Sequence, residues 1–312
     1  MKCPLFLLAA GIVCLAATSL PASAAPQQNS PGEPVNVVVT LEPKHGKTIP
    51  PVEAQDITVQ ENRDKRPVTG FVPLGENPST QLLLLIDDSA RGTFDTEINT
   101  LKQFINDLPS NTQVGVAYMR NGMAAFTQQF TNDHAAAANS IRVAYGPGGA
   151  DVSPYDSLTD AVKHWPTAPA DRKVVVMISS GVEALGGGWE PENPYVNAGI
   201  ESAQKAGLIV YTIYSPSVGH WGHSYWRATW GQNFLSQLSD ETGGEFYTIG
   251  YGSPVSFQPF LQQILMEMQH QYRLTFVARA EQKSGLQPIH IAVTEKDASL
   301  AAPDKVYVKA GL

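Results

Sequence analysis

Leu82-Leu83-Leu84-Leu85-Ile86 is apolar at every position and stops abruptly at Asp87-Asp88-Ser89. A strand with one wet face alternates apolar and polar residues. A run apolar on both parities is buried on both faces, as in the middle of a parallel sheet covered by helices. The residues that follow fit such a sheet. Apolar residues at Phe94, Ile98, Leu101, Phe104, Ile105 and Leu108 mark one face of a helix. Residues 113–119 and 124–130 read as strands joined by Asn121-Gly122, a strong hairpin signal. Helices are then expected over 133–143 and 154–165, a strand over 173–178, a helix over 195–206 and a strand over 208–214. A helix over 226–241 stops at Gly243-Gly244, before a strand over 245–249 and a helix over 255–272. This alternation predicts an α/β fold with a doubly wound, mostly parallel sheet.

The flanks carry no helical period. Residues 35–41, 52–60 and 67–74 read as short strands before the α/β unit, and 272–278, 287–294 and 305–309 as strands after it. Three strands make a poor core alone. The expected arrangement is one small β-sandwich built from both ends, with the α/β unit inserted in it or flanked by it. The expected divisions are 1–24 signal peptide, 25–34 flexible leader, 35–78 first part of the sandwich, 79–271 α/β domain and 272–312 second part of the sandwich.

Lys2, the apolar stretch 5–20 and Ala22-Ser23-Ala24 have the pattern of a secretory signal cleaved near Ala24. An exported chain, periplasmic or secreted, with no transmembrane segment after cleavage is expected. Both cysteines, Cys3 and Cys14, lie within that signal, so a large core rather than disulfides must stabilise the remainder. The net charge of −8 becomes −9 once Lys2 is removed, and no basic run is present, which argues against nucleic acid as a partner.

Asp87-Asp88-Ser89 after its apolar strand resembles the first strand and metal loop of von Willebrand factor type A domains. The VVVMISSG stretch at 174–181 is similar to their fourth strand. Residues 209–214 with 235–244 are similar to their fifth strand, helix and Thr-Gly-Gly stop. The flanking strands resemble exported bacterial proteins related to that family. The resemblance implies a Mg²⁺-binding adhesion site made from an Asp-x-Ser-x-Ser loop, a Thr and an Asp. Here Asp87 and Ser89 match, with Ser153 or Asp151 as a substitute for the Thr. Arg91 stands where the second Ser belongs and Ser180 where the Asp belongs. A guanidinium repels a cation, so a degenerate site without bound metal is expected, with Arg91 paired to Asp87 or Asp88. A Mg²⁺ site of Asp87, Ser89 and Ser153 is the alternative.

Four loops fall at the carboxyl ends of the sheet strands, where open α/β sheets bind ligands. They hold Arg91, Trp189, His220, Trp221, His223, Tyr225 and Trp226, the candidate ligand-binding residues. Aromatic rings on Gly-rich loops supply contact area with a polar handle. Trp226 and Trp230 open a helix, where packing is the competing role. His220 and His223 without a third ligand make a weak zinc motif. No nucleophile elbow, zinc-protease, phosphate-loop or dinucleotide motif is present. A serine hydrolase using Ser180, His220 and Asp87 has no orienting residues to recommend it. The expected function is therefore non-enzymatic: protein or peptide binding outside the cytoplasm through the loop face. A structural component of an envelope assembly is the alternative of another class.

Overall fold

The computed structural model describes residues 32–44, 48–75, 77–90, 93–145, 153–184, 192–216, 224–252 and 254–311. Among these, the first stretch gives β1 (Glu33–Pro43), a 3-10 turn at Ala54–Asp56, β2 (Ile57–Glu61), β3 (Asp64–Arg66) and β4 (Val68–Pro73). The α/β stretch begins with β5 (Thr80–Asp87), α1 (Thr93–Asn106), β6 (Thr112–Arg120), β7 (Met123–Thr131) and α2 (His134–Asn139). It continues with α3 (Pro154–Lys163), β8 (Arg172–Ser179), α4 (Pro194–Ala206), β9 (Leu208–Tyr214), α5 (Tyr225–Thr242), β10 (Phe246–Tyr247) and α6 (Gln258–Gln269). The last strands are β11 (Gln271–Ala278), β12 (Gly285–Val293), β13 (Ala298–Ala301) and β14 (Lys305–Val308).

The six-stranded sheet runs β10-β9-β8-β5-β6-β7, parallel throughout except for β7, which pairs antiparallel with β6 across the Asn121-Gly122 turn. The apolar run is its centre. Leu82, Leu84 and Ile86 enter one core with α1, α2 and α6, while Leu83 and Leu85 enter the other with α3, α4 and α5. Two-residue strand periodicity divides five consecutive apolar residues between two faces. The chain leaves β5 toward β6 on one side and returns as β8 on the other, so the switch point lies between the carboxyl ends of β5 and β8.

Strands from both ends of the chain interleave. One sheet runs β13-β1-β11-β4 and the other β14-β12-β2-β3, with β1 antiparallel to β11 and β2 antiparallel to β12. Val35, Val37 and Val39 of β1 share a core with Ile57, Leu274, Phe276, Ile289 and Val308. This is the joint sandwich that two three-stranded halves required. Arg172 ties it to the α/β unit. Its guanidinium donates to Thr80 Oγ1 at 2.8 Å, to Gln271 Oε1 at 3.1 Å and to the Met268 carbonyl.

Several elements differ from the sequence-based expectation. The helix expected over 133–143 ends at Asn139, because the backbone of Arg142 is captured by Tyr118: its N–H donates to the phenol oxygen at 2.8 Å, and the phenol donates to its carbonyl at 2.7 Å. The helix expected over 255–272 spans only 258–269, where Glu97 Oε2 accepts the Phe257 N–H at 2.9 Å and β11 takes over from Gln271. The strand expected over 245–249 is two residues long, and Thr248 turns the chain by accepting the Gly250 N–H. β2 starts at Ile57 rather than 52 because Ala54–Asp56 forms a turn closed by Glu53 and Asp56. β3 and β13 were not expected.

Candidate functional site

Asp87 ends β5 and faces the switch point. Its Oδ1 accepts the Ser89 N–H at 2.8 Å and the Ser89 hydroxyl at 2.7 Å, and its Oδ2 accepts the Ser179 hydroxyl at 3.3 Å from the end of β8. Asp87, Ser179 and Ser180 are all buried. The structure therefore brings together Asp87 and Ser89, as the family motif implies, across the crevice from Ser179.

Ser153 is placed differently. It caps α3, accepting the Asp156 N–H at 3.2 Å, and its hydroxyl donates to Glu183 Oε2 at 2.7 Å. Ser153 and Glu183 are buried, and the sequence reading did not single out Glu183. Asp88 is turned to Arg142, whose Nη1 and Nη2 donate to Oδ1 and Oδ2 at 2.7 and 3.1 Å, while the Tyr145 N–H donates to Oδ1 at 3.0 Å. The guanidinium lies 3.8 Å from the centre of the Tyr118 ring and 3.7 Å from that of Tyr145. A cation between two π faces, bonded in a fork to a buried carboxylate, is a strongly oriented arrangement. Arg142 is thus a partner of Asp88 that the sequence did not reveal, while Arg91, the sequence candidate for pairing with Asp87 or Asp88, lies outside the described residues.

Among the candidate contact residues, Tyr225 and Trp226 open α5 behind the Ser224 cap and are 61% and 72% exposed. Tyr225 packs on Tyr251 with ring centres 4.8 Å apart, and their hydroxyls are 3.3 Å apart. Trp226 meets Tyr225 edge-on at 6.2 Å. Packing, the competing role for the first turn of this helix, holds for Trp230, which joins Phe234 at 5.9 Å against the core. Trp226 turns outward instead. Arg91, Trp189, His220, Trp221 and His223 lie outside the described residues. Ser180, the nucleophile of the hydrolase reading, is buried and accepts the Val182 N–H at 3.5 Å.

A hard cation such as Mg²⁺ takes about six oxygen ligands. Here both Asp87 oxygens already accept hydrogen bonds, Asp88 is engaged by Arg142, and Ser153 is engaged by Glu183. Among the described residues, no group of three His, Cys, Asp or Glu side chains could hold a metal. Arg91 and residues 146–152, which the family motif also draws on, lie outside the described residues.

Burial holds the Asp87 carboxyl above the ordinary aspartate value of 3.8, although hydrogen bonds from Ser89, Ser179 and Ser180 pull it down. Between 3.8 and that raised value, the folded chain keeps a proton that the unfolded chain has lost. Stability contributed by this group therefore falls as pH rises through the window and stays lower above it. Asp87→Asn removes the buried charge and keeps the shape. Urea unfolding is expected to give the variant a higher midpoint than the parent at pH 7, with the gain gone by about pH 4. An equal midpoint shift at both pH values would show that the effect is not one of ionisation.

No protein-family model matches the chain, and no curated protein matches it significantly. Solved structures do. The vWF domain of the type V pili tip protein Mfa5 from Porphyromonas gingivalis is 13% identical with a TM-score of 0.44, covering 62% of this chain and 97% of that one. The conserved hypothetical protein BatB from Bacteroides thetaiotaomicron is 14% identical with a TM-score of 0.42, covering 61% and 98%. The ArnB paralog VWA2 from Sulfolobus acidocaldarius is 10% identical with a TM-score of 0.38, covering 88% and 76%. Likenesses of this size carry no argument about family or function. Asp87 and Ser89 stand at the switch point of a doubly wound sheet with one antiparallel edge, the placement that their resemblance to the von Willebrand factor A motif implies.

Proposed function

We propose that the chain is an interaction module that binds a protein or peptide partner outside the cytoplasm, without a resident metal and without catalysis. The exposed cluster of Tyr225, Trp226 and Tyr251 at the start of α5 carries this reading. Contiguous exposed apolar rings mark interaction surfaces more than scattered ones do, and Trp and Tyr are enriched among the residues that carry binding energy at interfaces. The rings are held by contacts to one another and by Gln232, whose Nε2 donates to the Gly250 carbonyl at 2.7 Å. A preset surface of this kind loses little entropy on binding. The metal-free part of the reading is supported by the engagement of Asp87, Asp88 and Ser153 within the fold. Among the described residues no helix is long and apolar enough to cross a membrane.

The test is selection from a random peptide display library against residues 25–312. Selected peptides are expected to lose about thirtyfold or more in affinity on Trp226→Ala, with an unchanged melting temperature, and more on adding Tyr225→Ala. Peptides that bind both variants as they bind the parent would place recognition elsewhere. Calorimetric titration with Mg²⁺, Mn²⁺ and Ca²⁺ is expected to give no saturable heat. Saturable heat abolished by Asp87→Ala would replace the metal-free reading with a metal-dependent adhesion site.

A further inference from the structure

At the opposite end of the α/β sheet, where β8 and β9 begin, a cleft of about 460 Å³ opens between that unit and the sandwich. Ligand pockets are commonly of this size and commonly lie between domains. Two features of its lining point to one kind of occupant.

The first is charge. Four cationic residues, Lys173, Lys205, Arg273 and Lys305, line the cleft with one carboxylate, Asp171, in a chain whose net charge is −8, while the guanidinium of Arg172, also in the lining, is taken up by Thr80, Met268 and Gln271. Some are partly neutralised. Arg273 pairs with Asp171, Lys205 lies 3.5 Å from Glu201 outside the lining, and Lys305 lies beside Asp304. Lys173 reaches the Ala206 carbonyl at 3.3 Å, and partial burial pushes its ammonium below the ordinary lysine value. A half-desolvated ammonium gains from a counter-charge more than one in water does.

The second is backbone. β1 pairs with β11 over residues 33–40, whereas β13 covers its other edge only over residues 40–43. Among the described residues no strand pairs with the outer edge of residues 33–39, and Val35, Asn36, Val37 and Val38 line the cleft. β14, also an edge strand, lines it through Lys305, Val306 and Tyr307. An open strand edge is a template for another strand. Lysines beside it repel a basic strand and attract an acidic one.

We propose that this cleft binds an extended acidic peptide segment, which adds as a strand along the free edge of β1 with its carboxylates against Lys173 and Lys305. Main-chain hydrogen bonds would supply affinity and the cations the choice of sequence. This site is separate from the aromatic cluster on α5 and does not depend on the function proposed for it.

The test uses residues 25–312 and three classes of blocked octapeptide: alternating Thr and Glu, alternating Thr and Lys, and the acidic peptide N-methylated either at every Thr or at every Glu. Calorimetry is expected to show binding of the acidic peptide only. One N-methylated form should lose roughly tenfold or more, since it deletes the amides that face β1, and the other should keep its affinity. Lys173→Glu with Lys305→Glu should weaken the acidic peptide by a similar factor. Because the N-methyl comparison uses the unaltered protein, a variant that folds poorly does not blunt it. Equal affinity of the acidic and basic peptides would overturn the proposal. So would equal affinity of the two N-methylated forms, absence of binding at millimolar peptide, or self-association of the protein that the double variant abolishes.

Discussion

Replacing Arg142 with Met is expected to lower the unfolding free energy by about 3–5 kcal/mol, a fall in melting temperature of about 10 °C for a domain of this size. The cost arises at Asp88, whose side chain is buried at the carboxyl end of β5 and accepts from both terminal guanidinium nitrogens of Arg142. The Tyr145 N–H still donates to that carboxylate, but an uncompensated buried charge is among the costliest single changes a fold can suffer. The stacking of the guanidinium between Tyr118 and Tyr145 is lost as well. Asp88→Asn in the Arg142→Met background should recover a large part of the deficit, because the stranded charge is gone. A coupling energy of about 2 kcal/mol in the double-mutant cycle is expected. If Arg142→Met alone costs under about 1 kcal/mol, the pair behaves as a surface ion pair and does not anchor this edge.

The same pair shows where reading the chain from sequence stops. The buried strand, the hairpin at Asn121-Gly122 and the stop at Gly243 were legible because each is a local signal: unbroken apolar character, a turn dipeptide, a terminal glycine. The joint sandwich was legible by counting strands too few to stand alone. The end of α2 was not, because alanines and a helical pattern continue while Tyr118, from a different strand, pulls the Arg142 backbone away. At the site, Asp87 and Ser89 could be read from their spacing in one loop. Arg142 on Asp88 and Glu183 on Ser153 could not, being separated by 54 and 30 residues with no motif linking them. The outward turn of Trp226 was also hidden, since α5 has polar and apolar residues on both sides of its first turn and only tertiary packing decides which ring is covered.

The second large effect runs against helix propensity. Gly231 lies inside α5, where Gly→Ala ordinarily stabilises by about 1 kcal/mol. Here a Cβ on Gly231 would stand 2.1 Å from the Ser180 carbonyl oxygen, and one on Gly181 would stand 2.2 Å from the Gly231 carbonyl oxygen. The two backbones touch, and that contact seats α5 against the loop that follows β8. Gly231→Ala is therefore expected to destabilise by about 1–3 kcal/mol, the usual cost of forcing atoms into a packed interior. Gly181→Ala should cost more, because its φ of +67° adds left-handed strain of about 1–2 kcal/mol. Gly207 supplies the control: it has the same φ of +67° with open space around it, so Gly207→Ala measures the strain alone. Urea unfolding is expected to rank the losses Gly207→Ala, Gly231→Ala, Gly181→Ala in increasing order. The gap between the first and last then isolates the close approach. In Gly231→Ala, peptides selected on the aromatic cluster should also bind more weakly, since Tyr225 and Trp226 ride on the helix that must move. A Gly231→Ala protein more stable than the parent would mean that α5 yields without cost, and the position of its exposed rings would then owe nothing to this contact.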